Sequence, residues 1–254
     1  MGAGHAHALY VHEHSLIHRL PAEVKLVAVV VFVVAVAVTP REAVWAFGVY
    51  AGVLATALAV ARIRPGFVVT RLLAILPFVA FAVLLPFIAS GEEMDLLGLR
   101  VSVPGLWASW NILAKATLGA AASILLTATT EVADILEGMA ALRAPLVLTS
   151  IAGFMIRYLE IIVEELGRMR MAMTARGYRP RWMSQIRPIA SSAGATFVRS
   201  YERGERVHGA MLSRGFTGVM PRLGSSPATA GDWVAMSAVL LPVLVVAIMA
   251  LVVT

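Results

Sequence analysis

Five apolar runs constrain this chain more than any motif does: Val24–Val38, Val44–Ala61, Leu72–Ala89, Leu106–Ala128 and Trp233–Val253. A helix needs ~20 mostly apolar residues to cross the hydrocarbon core of a bilayer. The last three runs meet that length comfortably. The first is short, bounded by Lys25 and Pro40. It reaches spanning length if Lys25 snorkels to the interface; a re-entrant or bundle-buried helix is the alternative. Of the 254 residues, 59% are hydrophobic and 14% charged, against about 25% charged in a soluble globular domain. So few polar groups cannot cover the apolar surface, and lipid has to. The expected fold is all-α: a polytopic membrane protein of about five spans.

The charged residues orient the spans. Arg19 and Lys25 precede the first run, and Arg62, Arg64 and Arg71 lie between the second and third. The loop Ser90–Gly105 instead sets Glu92, Glu93 and Asp95 against one Arg100. Cytoplasmic loops collect Lys and Arg, so the N-terminus is expected inside and the acidic loop and C-terminus outside. The net charge of +6 follows from that bias. Lys115, inside the fourth run, is an exception that needs a partner in the bundle or at its rim. The chain has no cysteine, which excludes disulfides and thiolate metal sites. No cleavable signal peptide is expected, because the first apolar run leads to Thr39-Pro40-Arg41 and not to a small-residue cleavage site.

The expected organisation is an N-terminal cytoplasmic segment (1–23), a membrane domain with four spans (24–128), a cytoplasmic domain (129–231) and a final span (232–254). The stretch 129–231 carries thirteen arginines and no lysine. Within it Leu159, Ile162, Val163, Leu166, Met169 and Met173 recur at helical spacing, with Glu160, Glu164 and Arg168 opposite. This predicts an amphipathic helix over roughly Arg157–Ala175. Prolines at 145, 180, 188, 221 and 227 mark breaks, and Leu146–Met155 reads as an apolar, partly membrane-embedded lead-in.

One element occurs twice, 38 residues apart. Glu164, Arg168, Ala172, Met173, Arg176, Gly177 and Tyr178 correspond to Glu202, Arg206, Ala210, Met211, Arg214, Gly215 and Phe216. In both copies Glu precedes Arg by four residues, the better order for a helical ion pair. In both, Gly suits the left-handed position after a helix, and the Arg before it lies near the negative end of the helix dipole. A single such Arg is adequately explained as a helix cap. A duplicated small-Arg-Gly-aromatic ending points to two equivalent docking helices, and Met169, Met171 and Met173 suit an adaptable surface.

These residues resemble a known family. The motifs Ala175-Arg176-Gly177 and Ser213-Arg214-Gly215 on paired helices look like those of the transmembrane (T) component of energy-coupling factor transporters. The second motif departs by Ser for Ala, one small residue for another. His14-Ser15-Leu16-Ile17-His18-Arg19-Leu20-Pro21, Lys25-Leu26 and Thr39-Pro40-Arg41 resemble the start of the cobalt-type, or CbiQ, component. So do Arg157-Tyr158-Leu159 and the following Glu164-Glu165 and Arg168-Met169-Arg170. The resemblance covers most of the chain. It implies a subunit of the bacterial plasma membrane that joins two ABC-type ATPases to a substrate-capture membrane subunit. The two motifs would couple to the ATPases, with Glu164, Arg168, Met173, Glu202, Arg206 and Met211 supporting the docking helices. Cobalt is the implied cargo, with nickel or a vitamin as the alternative. No cofactor is implied, and the absence of a GxxxxGK[ST] loop agrees with hydrolysis by partner ATPases.

Two other classes compete with this reading. His5, His7, His12, His14 and His18 invite a membrane metalloprotein, since imidazole suits cobalt, nickel and zinc. The expected spans, however, hold no His and no carboxylate apart from Asp232 at a border, and a polar terminus explains the histidines as well. A nucleic-acid binder is disfavoured because Glu131, Asp134, Glu137, Glu160, Glu164, Glu165, Glu202 and Glu205 sit among the arginines. Such mixed charge suits protein docking better than phosphate tracking.

Overall fold

The computed structural model describes residues 15–90, 93–96, 99–178, 186–218 and 228–253. The described chain is almost entirely helical, as expected. In order, it runs α1 (Leu16–Arg19), α2 (Ala22–Val38), α3 (Val44–Val60), α4 (Pro65–Leu72), a 3-10 turn (Leu73–Ile75) and α5 (Leu76–Ile88). A two-stranded antiparallel hairpin follows, β1 (Glu93–Leu96) with β2 (Leu99–Ser102), pairing Asp95 opposite Arg100. Then come α6 (Val103–Thr129), α7 (Val132–Ala141), α8 (Leu146–Ala175), α9 (Arg187–Ser213) and α10 (Ala230–Val253). The strands were not expected; they fall in the acidic loop.

Among the described residues, four helical stretches are long and apolar enough to cross a membrane: Pro65–Ile88, Val103–Thr129, Leu146–Ala175 and Ala230–Val253. The α2 and α3 helices have 17 residues each, the lower end of the range for a span, about 17–25. The expected helix over Arg157–Ala175 extends back without a break to Leu146. The apolar lead-in and the amphipathic segment are therefore one helix.

The chain divides into two compact units. The larger comprises the elements up to Ala141 together with α10. Its core joins Phe32, Ala35 and Val36 of α2, Phe47, Tyr50 and Leu54 of α3, Ala114, Leu118 and Ala122 of α6, and Val243, Ala247 and Ala250 of α10. Alanine at so many contact positions lets the backbones approach closely, which is how helices pack where no hydrophobic effect drives them together. Tyr50 is fully buried, edge-on to Phe32 and Phe47. Its hydroxyl shares a hydrogen bond of 2.9 Å with Thr39.

Polar groups in this unit are matched across helices. Pro86 lies inside α5 and has no N–H to give the carbonyl four residues back. That carbonyl, of Ala82, accepts the Ser109 hydroxyl from α6 at 2.6 Å. Gly105 lets the two helices come that close, since a Cβ there would lie 2.8 Å from the Leu85 carbonyl oxygen. Lys115 has its partner: its Nζ donates to the Ala37 carbonyl in the last turn of α2 at 2.7 Å, where the helix dipole favours a cation. Buried Lys25 donates to the Thr129 carbonyl at the end of α6 at 2.8 Å. Nearby, burial raises the Asp134 carboxyl of α7 above its ordinary value; Glu131 and Glu137 add to this and Lys25 opposes it.

Candidate functional site

The smaller unit spans Leu142–Gly224, and its described helices are α8 and α9. They run antiparallel. The Ser192 hydroxyl meets the Met173 sulfur and the Thr196 hydroxyl meets the Met169 sulfur, each at 3.6 Å. Further along, the Glu165 carboxylate pairs with Arg199 at 2.9 Å and with Arg203 at 3.4 Å. As the numbering falls along α8 it rises along α9.

This pairing puts the sequence repeat into space. Glu165 and Arg203 are 38 residues apart, so they are the same position in the two copies, and they touch. Equivalent positions meet only near a two-fold axis. The pattern of burial agrees: at 154, 158, 162, 165, 169 and 173 of α8 the side chains are buried or half-buried, and so are those 38 residues on, at 192, 196, 200, 203, 207 and 211 of α9. The bulky members lie on α8 (Phe154, Tyr158, Ile162, Met169) and mostly smaller ones on α9 (Ser192, Thr196, Ser200, Val207). The asymmetry is therefore complementary.

The expected stripe on α8 needs correction here. Leu159, Val163 and Leu166 are 48%, 37% and 42% exposed, while Glu165 is 7% exposed. A carboxylate takes the inward position because two guanidiniums of α9 neutralise it, and a buried charge so paired is tolerated.

The two motif ends have the same geometry. In the first copy the Tyr178 N–H donates to the Met173 carbonyl and the Gly177 N–H to the Thr174 carbonyl, both at 3.0 Å. In the second, Phe216 donates to Met211 and Gly215 to Leu212, again at 3.0 Å. This crossed pair of bonds is the Schellman cap. It requires a left-handed residue, and Gly177 and Gly215 have φ of +77° and +79°. The residue after the glycine tends to pack on the one whose carbonyl its N–H reaches. Here Tyr178, Phe216, Met173 and Met211 are all half-buried. Capping thus explains the glycine, the aromatic and the methionine. It leaves the arginine unexplained.

Ala175, Arg176, Ser213 and Arg214 are exposed, as are both glycines. Among the described residues neither Arg176 nor Arg214 has an ion-pair or hydrogen-bond partner for its guanidinium. The flanking pairs form in both copies, Glu164 with Arg168 at 3.7 Å and Glu202 with Arg206 at 3.9 Å. Exposed pairs of this kind contribute little, ~0.3–0.5 kcal/mol each. Arg176 and Arg214 each lie eleven residues past the crossing point, in opposite directions. At ~1.5 Å of rise per residue they stand roughly 30 Å apart along the hairpin. The arrangement is a pair of equivalent, unspent cations at the two ends of a pseudo-symmetric hairpin.

Of the histidines, His18 is described. Its Nδ1 and the Ser15 hydroxyl are 2.8 Å apart, within the capped first turn of α1. His5, His7, His12 and His14 lie outside the described residues. Among the described residues no three His, Asp or Glu side chains converge on a point that would hold a metal ion.

The fold and this hairpin define a class: a polytopic helical membrane protein bearing a duplicated, arginine-ended helical hairpin. Comparison with known proteins narrows it. A family model described as "Cobalt transport protein" (CbiQ) matches residues 13–224, and the chain belongs to that family. It is also 26% identical, over 226 residues, to the energy-coupling factor transporter transmembrane protein EcfT of Bacillus selenitireducens, covering 82% of each chain. The family match embraces both copies of the repeat.

Proposed function

We propose that this chain is the energy-coupling transmembrane subunit of an ABC-type importer, transmitting the movement of an ATPase pair to a substrate-capture subunit. In this reading Arg176 and Arg214 each enter an acidic groove on one ATPase. The observation that carries it is the pair of identical caps at opposite ends of a pseudo-two-fold hairpin: two equivalent partners with two-fold symmetry present two equivalent grooves. Closing and opening of such a pair would move the hairpin as a rigid body. ATP hydrolysis belongs to the partners. The cargo is cobalt ion, on the strength of the family description; nickel or a vitamin is the alternative, which uptake assays with each separate. The protein sits in a bacterial plasma membrane with the N-terminus and the hairpin on the cytoplasmic side. Single cysteines placed at Asp95 and at Ala193, an exposed position on α9, test this, since labelling of position 193 from outside intact cells reverses the topology.

The coupling role is tested through the arginines. A charge pair buried at an interface costs ~2–5 kcal/mol when one partner is truncated, a tenfold or greater loss of affinity. Arg176→Ala or Arg214→Ala is expected to weaken ATPase association at one end. The double change is expected to abolish co-purification while the membrane unit stays folded. Arg→Lys is expected to fail as well, because an ammonium does not reproduce the two-pronged contact of a guanidinium. Arg187→Ala, an exposed change elsewhere on α9, is the control. Wild-type co-purification and uptake by the double variant would reduce both arginines to ordinary helix ends.

A further inference from the structure

Between α2, α3, α6 and α10 lies a groove of about 290 Å³. Its inner end is closed by Phe32, Leu54 and Val243, all buried. At the other end are Lys25 and Thr129. Val60 of α3 and Val239 of α10 also line it, and they are 47% and 49% exposed. The groove therefore opens sideways between those two helices, onto the surface that lipid covers. From Lys25 to Phe32 along α2 it runs about 10 Å, at ~1.5 Å per residue. That is less than half of the ~30 Å hydrocarbon core, so the groove stays within one leaflet.

The lining is apolar with one exception. The Thr56 and Thr129 hydroxyls are spent on carbonyls of their own helices, at 2.7 and 2.8 Å. Lys25, 5% exposed, donates to Thr129 at 2.8 Å and more weakly to the His18 carbonyl at 3.4 Å. Among the described residues its third N–H has no acceptor. Two exposed cations stand at the same end, Arg19 in the last turn of α1 and Arg62 just past α3. The site thus offers an apolar slot with Lys25 at its mouth, Arg19 and Arg62 at the same end, and the Asp134 carboxylate of α7 within electrostatic reach of the amine.

We infer that this groove binds an anionic phospholipid, one acyl chain lying along the slot and the headgroup phosphate against Lys25. A phosphate supplies acceptors only, and so matches the Lys25 N–H that the His18 and Thr129 carbonyls leave open. A partner's spanning helix, ~20 residues long, does not fit a slot two turns deep. Bound there, the lipid fills the splay between α3 and α10 and sets their spacing.

The test uses the full chain, with its co-expressed partners, in phosphatidylcholine vesicles doped with a phosphatidylglycerol that carries a photoreactive acyl chain. Crosslinks are expected on Val29, Leu125 and Val239, with phosphatidylglycerol favoured over a phosphatidylcholine probe by about fivefold, the size of one lysine's attraction to an anionic lipid. Phe81, on the outward face of α5, serves as the control and should label equally with both probes. Ala57→Trp, which fills the slot, should remove most groove labelling and leave Phe81 unchanged. Lys25→Met should abolish the headgroup preference while acyl labelling persists; if that variant does not fold, Ala57→Trp and the two probes on the natural chain still decide. The inference is overturned if groove labelling matches that of Phe81, ignores the slot-filling change, or shows no headgroup preference in the natural chain. Crosslinks to a protein partner in place of lipid overturn it equally.

Discussion

In the larger unit Ala46, Tyr50, Ala82, Val243 and Ala250 are completely buried. In the hairpin the buried residues among those described are Glu165 and Thr196, each 7% exposed. The first unit closes on itself: its helices touch through alanines, and the carbonyl that Pro86 leaves open finds a partner on a neighbouring helix. The second is held by two sulfur–hydroxyl contacts and one carboxylate between two arginines. It leaves Met171, Phe197 and Tyr201 at 65%, 73% and 64% exposure. The contrast is between a unit whose buried positions are filled by its own helices and a hairpin that buries little and holds together through a few polar contacts.

Glycine substitutions break that contrast most directly. Gly105→Val drives side-chain atoms into the backbone of α5. Overpacking of that kind costs ~1–3 kcal/mol and occasionally more. Thermal unfolding of the detergent-purified chain should show a clear drop, the largest of this set. The hairpin responds differently. Gly177→Ala or Gly215→Ala meets open space but keeps a positive φ, which costs ~1–2 kcal/mol for an L-residue. The helix end should fray locally, seen as faster amide exchange at 173–178 or 211–216, with global unfolding unchanged.

A charge exchange sharpens the symmetry. Glu165→Arg sets three guanidiniums together and should make α9 more sensitive to limited proteolysis. Adding Arg203→Glu, the equivalent position of the other copy, should recover much of the lost protection. Failure to recover would mean that the 165–203 contact does not hold the hairpin. The smallest effect is expected at Gly167, in the interior of α8, where an added Cβ would meet nothing within 4 Å. Gly167→Ala should stabilise the helix by ~0.5–1 kcal/mol, read as slower exchange in α8. Destabilisation there would mean that the hairpin is packed more tightly than its exposure indicates.

Much of this protein was legible in its residues. The apolar runs located every helix of the larger unit that reaches spanning length, to within a few residues except at Pro65, where a helix start hides among arginines. The repeat located both helix ends, and each glycine was readable as a left-handed cap because capping is a local matter, settled within six residues. The i,i+4 pairs Glu164–Arg168 and Glu202–Arg206 were readable for the same reason. The burial of Glu165 was not. Helical period alone assigned Leu166 to the inner face, and only the two arginines of α9 make a carboxylate stable there.

What the sequence by itself determined is therefore the class, the membrane character and the duplicated arginine endings, because hydrophobic run length and helix capping depend on neighbours along the chain. What only the tertiary structure decided is how distant segments meet. Lys115 reaches a carbonyl 78 residues away and Lys25 one 104 residues away; Ser109 repairs the bond that Pro86 breaks; and the antiparallel run of α8 against α9 turns a linear repeat into a pseudo-two-fold pair. No local rule contains those contacts, since each depends on which faces the packed helices present to one another.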